Sequence, residues 1–445
     1  MGIEQNSWWM VPLFIGSATA GFIVWNGYRW PDNWSPYLSF GGAVLIALIA
    51  NRFLYLADFF LSGEHFSEWP FPSHSREWAV LKAEIITLVG TLTTVAVWMF
   101  ANGPRYSPRF LLNTRRSFLI RTLAVSYAFS LLGLMFTQLN PDARGAFGQF
   151  TPTLLGLGIS CSFFLPMVIK KSTFFTLILT IFLSLPFVYF SLLIGMKESI
   201  IISLIPVMYC TWLVVRNRAA RIALIILAIL IVALITTFVS YYRDQVWIGK
   251  RSLTQQQALS EFRIVLATEG VVDTMASGLQ KFLGRSNASA YRGWAISLAD
   301  EQGYEPELVF APMLYVFVPR ILWPEKPLIQ QGWEYSGIVF GQNYMASSGS
   351  STAAGLYPAF YLGYGWPAVL AGAIGIGLMI AGLFKLAWRI GGPLMVGLYS
   401  FYLLPFALRL DETWTVGAMS GPIIGFVYLV LIFLTVRFVS SFLRV

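Results

Sequence analysis

Histidine, cysteine and charge are all scarce in this chain of 445 residues: two histidines, two cysteines, and charged side chains at 11% of the total. His65 and His74 lie in one polar connection with no cysteine or clustered acid at ligand spacing, which argues against a zinc site. Cys161 and Cys210 both fall inside apolar runs, so they support neither a disulfide framework nor a metal cluster. Neither a Walker-type phosphate loop nor a glycine-rich dinucleotide fingerprint occurs. Without a nucleotide site, the energy for any group transfer is expected to come from an already activated substrate. Internal repeats, low-complexity tracts and a second soluble domain are also missing. Ser7 to Gly27 is apolar but lacks a basic n-region and a small-residue cleavage site, so it reads as a first membrane span rather than a cleaved leader.

What fills the chain instead is apolar. Hydrophobic residues make up 57% and the mean hydropathy is +0.67, whereas soluble domains carry roughly 25% charged residues. Runs such as Ile222–Val239 are long enough to cross about 30 Å of hydrocarbon as helix. A transmembrane barrel would alternate apolar and polar residues over short strands, and these runs do not. The expected fold is therefore an all-α polytopic membrane protein, a single integral membrane domain over residues 1–445. We read about eleven or twelve spans, near 7–27, 37–58, 80–101, 118–138, 153–169, 173–194, 199–215, 222–242, 353–384, 393–410 and 417–437. Arg52 sits awkwardly inside the second span.

The net charge of +9 is not spread as a nucleic-acid surface would be. The excess sits in short connections: Arg105, Arg109, Arg115 and Arg116; Lys170 and Lys171; Arg216, Arg218 and Arg221; Lys385 and Arg389; Arg437 and Arg444. Positive charge in short loops marks the cytoplasmic side of a bacterial inner-membrane protein. That assignment puts one long polar insertion, residues 243–351, on the opposite, periplasmic face. The insertion holds nine Lys or Arg and ten Asp or Glu, so it is nearly neutral. Nucleic acid is not an expected partner.

Candidate chemistry gathers on that outer face. Lys197 and Arg409 lie at the outer ends of spans, Asp411 and Glu412 follow Arg409, and Arg243, Arg263, Arg285, Arg292, Arg320 and Lys326 come from the insertion. Charged groups near membrane depth face a cavity or a partner, and arginine's planar fork suits bidentate binding of phosphate oxygens. These cations are candidates for holding a lipid-linked pyrophosphate; snorkelling and salt bridges with the insertion's acids are the plainer alternative. Glu269, Asp273, Asp300, Glu325 and Glu334 are the acids from which a general base toward a sugar hydroxyl could be drawn, and sequence alone does not choose among them. Trp323 and Trp333 flank the Pro324-Glu325-Lys326-Pro327 turn as carbohydrate-contact candidates. Within the insertion, Leu259–Phe282 has helical periodicity and Pro306–Tyr315 is apolar enough to lie against a membrane surface. Gly363-Tyr364-Gly365-Trp366-Pro367 predicts a break, a short interfacial helix followed by a full crossing.

The residues Pro319-Arg320-Ile-Leu-Trp-Pro-Glu-Lys-Pro327, then Ser350-Ser-Thr352 and Gly355-Leu-Tyr357-Pro-Ala-Phe360-Tyr-Leu-Gly-Tyr-Gly365, resemble the oligosaccharide repeat-unit polymerases (Wzy type). Gly195-Met-Lys197-Glu-Ser resembles that family's Gly-Ser-Arg turn, with lysine in the arginine place, and Arg409 matches an arginine near the end of the penultimate span. The Gly363–Gly365 spacing departs from the family's pattern. The resemblance implies a GT-C-like glycosyltransferase that polymerises undecaprenyl-pyrophosphate-linked oligosaccharides at the periplasmic face of the inner membrane, for O-antigen, capsule or exopolysaccharide. It implies Arg320, Arg409 and Lys197 on the pyrophosphate, with Arg292, Arg285 and Lys326 in support, Asp411 or Glu325 toward the acceptor hydroxyl, and Trp323 and Tyr357 on the substrate. No cofactor or metal is implied; the partners are the lipid-linked oligosaccharide, membrane lipids and a chain-length regulator protein.

Two rival readings remain at this point. An O-antigen ligase-like transferase shares the architecture but uses a histidine in its large loop, and residues 243–351 contain none. A polysaccharide or lipid transporter would be expected to show related halves.

Overall fold

The computed structural model describes residues 10–27, 40–62, 76–102, 116–139, 151–169, 173–194, most of 200–243, residue 245, and 255–286, 289–318, 322–323, 325–340, 353–410 and 413–442. Among these residues every regular element is helical. In chain order the helices are α1 (Met10–Gly27), α2 (Phe40–Ser62), α3 (Arg76–Asn102), α4 (Arg116–Leu139), α5 (Thr151–Ile169), α6 (Thr173–Ile194), α7 (Arg218–Arg243), α8 (Gln255–Glu269), α9 (Val271–Ser286), α10 (Ser289–Gln302), α11 (Pro306–Tyr315), α12 (Gln331–Phe340), α13 (Leu356–Leu408) and α14 (Thr415–Phe442). Six stretches are long and apolar enough to cross a membrane: Phe40–Ala57, Trp78–Ala101, Leu119–Thr137, Phe174–Ser191, Leu356–Gly392 and Thr415–Thr435. Shorter apolar helices run over Val11–Trp25, Leu154–Pro166 and Leu394–Leu408. Among the described residues the chain has the all-α character of a polytopic membrane protein, with helices that satisfy their own backbone polar groups as a hydrocarbon environment demands.

Two compact units share the chain. The first comprises Met1–Ser107, Leu283–Arg389 and Phe406–Ile424; the second comprises Pro108–Phe282, Ile390–Pro405 and Gly425–Val445. The polar insertion is therefore divided. Its helices α8 and most of α9 belong with α7 in the second unit, whereas α10, α11 and α12 belong with α1–α3 in the first.

In the first unit, α10 lies along α3 so closely that a Cβ at Gly293 would sit 2.7 Å from the Val80 side chain. Gly293, with no side chain of its own, lets the two backbones approach there. Phe14, Tyr55, Leu56 and Val80 form a core among α1, α2 and α3. Further along, Trp98 packs edge-on to Phe40 and Phe384, and its ring occupies the space left by Gly41.

Helix α13 is 53 residues long, far more than one crossing needs. Two glycines interrupt its right-handed geometry, Gly365 at φ 67° and Gly392 at φ 59°. Contacts on α3 show what the first break does. Tyr357 fits its ring over Gly90 and donates its hydroxyl to Thr94 Oγ1 at 2.9 Å, while Tyr361 lies 4.6 Å beneath the Lys82 ammonium. Residues 356–364 thus run antiparallel to α3. Beyond Gly365 the order reverses: the Ala373 carbonyl accepts from Thr94 Oγ1 at 3.1 Å, Gly377 touches Val97, and Phe384 reaches Trp98. The Phe360 ring packs over Gly372 across the two arms. The start of α13 is therefore a helical hairpin with its apex at Gly365. Its first turn lies level with Gly90 to Thr94, about 12 to 18 Å along α3 from Lys82. The residues after the apex, 366–392, span about 40 Å and suffice for a full crossing. The sequence expectation of a break at Gly363–Pro367 is met, but the short arm descends along α3 instead of lying flat. The segment Lys385–Arg389, expected as a connection, is helical.

In the second unit α4, α5 and α6 form the main contact group. Leu154 fills the space over Gly133, and the Phe187 ring fills that over Gly158. Tyr127 and Ser162 each donate a hydroxyl to the Leu183 carbonyl at 3.0 Å, in the turn that Pro186 loosens. Thr237 of α7 donates to the Thr274 carbonyl at 3.2 Å and sits against Gly278, which seats α9 on α7. Tyr241 donates to Glu261 at 2.8 Å, tying α8 to the same helix.

Candidate functional site

The polar side chains of the first unit converge where α2, α3 and α10 meet. Glu84, fully buried, accepts from Arg52 Nη2 at 2.6 Å through Oε2 and from Arg292 Nη1 at 3.0 Å through Oε1. Arg292 Nη2 donates to the Tyr55 hydroxyl at 2.7 Å, and both guanidinium carbons stand 5.5 Å from the Tyr55 ring centroid. One carboxylate thus joins two spans to a helix of the polar insertion, with both arginines wholly out of solvent. Ions at such depth persist only when paired and hydrogen-bonded.

Two residues before Glu84, and so on a different side of α3, a second ionic group meets the surface. Lys82 donates to Asp300 Oδ1 at 2.9 Å and Oδ2 at 2.6 Å, and Tyr361 donates to Oδ1 at 2.8 Å. The side chains of Lys82 and Asp300 are 17% and 34% exposed. Tyr304 and Trp366 stand nearly perpendicular to Tyr361, each with its ring centroid 6.3 Å away. Gly303, at φ 102°, and the bond from Glu305 N–H to the Leu362 carbonyl at 2.8 Å hold the α10–α11 connection on the hairpin.

The Pro-Glu-Lys-Pro turn forms a third feature. Lys326 is buried; its ammonium donates to the carbonyls of Val316 and Val318 at 3.1 and 2.9 Å and lies 6.0 Å from the Tyr315 ring centroid. It caps the C-terminal end of α11, where unsatisfied carbonyls favour a cation. Trp323 stands edge-on to Tyr315 at 6.1 Å and is 40% exposed, with Leu314, Leu322 and Leu328 exposed around it. Burial raises the Tyr315 hydroxyl above its ordinary range, with the Glu334 charge adding to the effect. Gln331 donates to the carbonyls of Leu308 and Val309 at 2.8 and 3.2 Å and to Thr415 Oγ1 at 3.1 Å. Thr415 in turn donates to the Val309 carbonyl at 2.8 Å, and Trp414 packs edge-on to Tyr335 at 5.4 Å. The start of α14 is thereby fastened to α11 and α12.

Of the residues singled out from sequence, Arg320, Asp411 and Lys197 lie outside the described residues. Arg409 is exposed and ends α13 as its C-cap residue, a few positions before Trp414. Glu325 is exposed in the turn beside Lys326. Arg285 falls in the last turn of α9. Tyr357 is fully buried against α3. Arg292 and Lys326 are occupied by the partners just named, so their bonds position the insertion's helices. Among the five acids left open by the sequence, Asp300 is the one that meets a lysine, a tyrosine hydroxyl and aromatic rings together. Glu84, Lys82, Tyr55 and Tyr361 carry no spacing signal, because their partners lie as far as 237 positions away. The one hint singled out from sequence was the awkward Arg52, and a buried carboxylate on a neighbouring span is its resolution.

Among the described residues no group of three or more His, Cys, Asp or Glu side chains is arranged to hold a metal ion. No curated protein and no solved structure matches the chain. A family match does extend over residues 66–406, which takes in α3, the divided polar insertion, the hairpin and all but the last residues of α13. On that match, which spans well over half its length, the chain belongs to the family described as a domain of unknown function, DUF8712.

Proposed function

We propose that this protein polymerises lipid-linked oligosaccharide repeat units at the periplasmic face of a bacterial inner membrane. The observation that carries the reading is the hairpin. Gly355-Leu-Tyr357, part of the polymerase-like motif, begins a helix level with Gly90 to Thr94 of a membrane-crossing helix. The polar insertion thus ends deep beside an apolar helix instead of in water. Broken helices of this sort are tolerated at membrane depth where they line a polar site. Trp414 and Thr415, which follow Arg409 by a few positions, are joined to the insertion through Tyr335 and Gln331. The remaining spans, to the count of eleven or twelve, and a GT-C-like arrangement form part of the same reading.

In the reaction, the acceptor sugar's hydroxyl oxygen attacks the anomeric carbon that joins the growing glycan to undecaprenyl pyrophosphate. The bond from that carbon to the phosphate oxygen breaks, its electron pair leaves with the lipid pyrophosphate, and the hydroxyl proton passes to a carboxylate. Arg320 and Arg409 bind the departing pyrophosphate, more tightly as negative charge develops on it. Arg292 and Lys326 contribute by fixing α10 and the end of α11.

Purified protein in nanodiscs, supplied with lipid-linked repeat units, is expected to yield a ladder of longer glycans without added nucleotide or metal. Arg320→Ala and Arg409→Ala are each expected to abolish the ladder while protein abundance stays the same. Wild-type ladders from both variants, or lipid movement across vesicles with no joined product, would overturn the reading.

A further inference from the structure

We propose that the hairpin apex forms a pyranose-binding subsite built on Asp300, Lys82 and Tyr361 and walled by Tyr304 and Trp366. Calling its occupant the acceptor glycan rests on the polymerase reading above; the binding of sugar does not.

Three elements bring the chemistry together: Lys82 from α3, Asp300 from the last turn of α10, and Tyr361 with Trp366 from the two arms of the hairpin. A carboxylate offers about four acceptor positions. Two bonds from Lys82 and one from Tyr361 occupy three of them. The side chain remains 34% exposed, which leaves Asp300 open to a donor from solvent. Sugar hydroxyls are such donors. Their ring oxygens and neighbouring hydroxyls can accept from the third N–H of Lys82, and a hydroxyl can donate to the Tyr361 oxygen, whose own proton is committed to Asp300.

The aromatic rings supply the other half of sugar recognition. Tyr304 is 51% exposed and Trp366 36%, yet both are held in place against Tyr361. A pyranose presents one face of C–H bonds, weakly positive, which suits the negative face of an aromatic ring. Trp78, one helical turn before Lys82 and on the same face of α3, is 58% exposed. The walls are pre-formed: a Cβ at Gly365 would lie 2.7 Å from the Tyr304 hydroxyl, and Phe310 stacks on Phe360 and Tyr364 beneath the apex.

Charge selects a neutral ring over a phosphate here. Lys82 and Asp300 cancel, and an anion approaching Lys82 meets the Asp300 carboxylate already on it. A partly exposed ion pair is a weak fastener by itself. The alternative use of the aromatic rings is as an interfacial belt, and the experiment separates the two.

The probe is the reducing oligosaccharide released by mild acid from the lipid-linked pool of cells lacking the gene, so that it carries neither lipid nor pyrophosphate. Calorimetry on the full protein in nanodiscs should show saturable binding that inorganic pyrophosphate does not displace. Asp300→Asn and the pair Tyr304→Ala with Trp366→Ala should each weaken it by about tenfold or more, with unfolding midpoints unchanged. The aromatic pair serves as the deciding variant should Asp300→Asn fail to fold, since both rings are partly exposed. Binding within twofold of wild type in the aromatic pair, no binding by the wild type, or displacement by pyrophosphate would overturn the subsite. Sugar binding that is lost in both variants, with no ladder formed by the wild type, would keep the subsite and remove the polymerase reading. A ladder formed by both variants with an unchanged acceptor KM would do the reverse.

Discussion

Glu84 and Arg292 form a fully buried ion pair, 3.0 Å from Oε1 to Nη1, although 208 positions separate them in the chain. The same carboxylate holds Arg52 of α2. A helix of the polar insertion is thereby bonded into the membrane-crossing part of its unit. The pairing turns an apparent extramembrane loop into a structural member of the bundle, and it sits beside the half-exposed Lys82–Asp300 pair.

Glu84→Gln would leave two buried guanidiniums facing a neutral amide. Breaking a buried pair from one side costs about 3–5 kcal/mol, so a large fall in unfolding midpoint, or failure to accumulate, is expected. Thermal unfolding of the purified protein in detergent measures it. A midpoint within a degree of wild type would show that the pair does not hold α10 in place.

Gly90 and Gly372 admit the rings of Tyr357 and Phe360. Gly90→Ala places a methyl group inside the space of the Tyr357 ring and should destabilise by about 1–3 kcal/mol. Tyr357→Phe keeps the ring and loses only the bond to Thr94, at about 1 kcal/mol. Denaturation curves should rank Gly90→Ala as the more severe. The opposite ranking would mean that the hydroxyl, not the close approach, seats the hairpin.

Alkaline pH should loosen α12 from α10. Tyr335 is buried and donates to the Tyr291 carbonyl at 2.6 Å, and burial first, with Tyr291 adding, raises its hydroxyl well above the ordinary range. A raised folded value means that its contribution is complete below the unfolded value, near about 10, and is lost as pH climbs beyond it. The slope there approaches about 1.4 kcal/mol per pH unit for one group. Tyr335→Phe should be less stable than wild type at neutral pH but decline less steeply above pH 10 in unfolding experiments. Equal slopes in the two proteins would remove Tyr335 from the alkaline transition.

The helical, membrane-crossing character of the chain was legible residue by residue. Apolar runs such as Leu119–Thr137 and Phe174–Ser191 leave no other way to satisfy a backbone in hydrocarbon. The break at Gly365 was also legible, since glycine and proline mark interruptions locally. The direction of the short arm was not, because it depends on Tyr357 meeting Gly90 and on Phe360 meeting Gly372.

The candidate site divides in the same way. Sequence singled out cations by their position at span ends, and it offered five acids without a means of ranking them. Lys326 and Arg292 were found by that route, but what they bind, helix-end carbonyls in one case and Glu84 in the other, is a matter of distant partners. Composition and local pattern determined that the chain is helical and membrane-crossing and where its helices break, because hydrophobic length and glycine conformation are properties of neighbouring residues. Tertiary structure alone decided that Arg52 and Arg292 share the Glu84 carboxylate and that Asp300 meets Lys82 and Tyr361, because ion pairing depends on which helices come within a few ångströms, and no spacing along the chain encodes that.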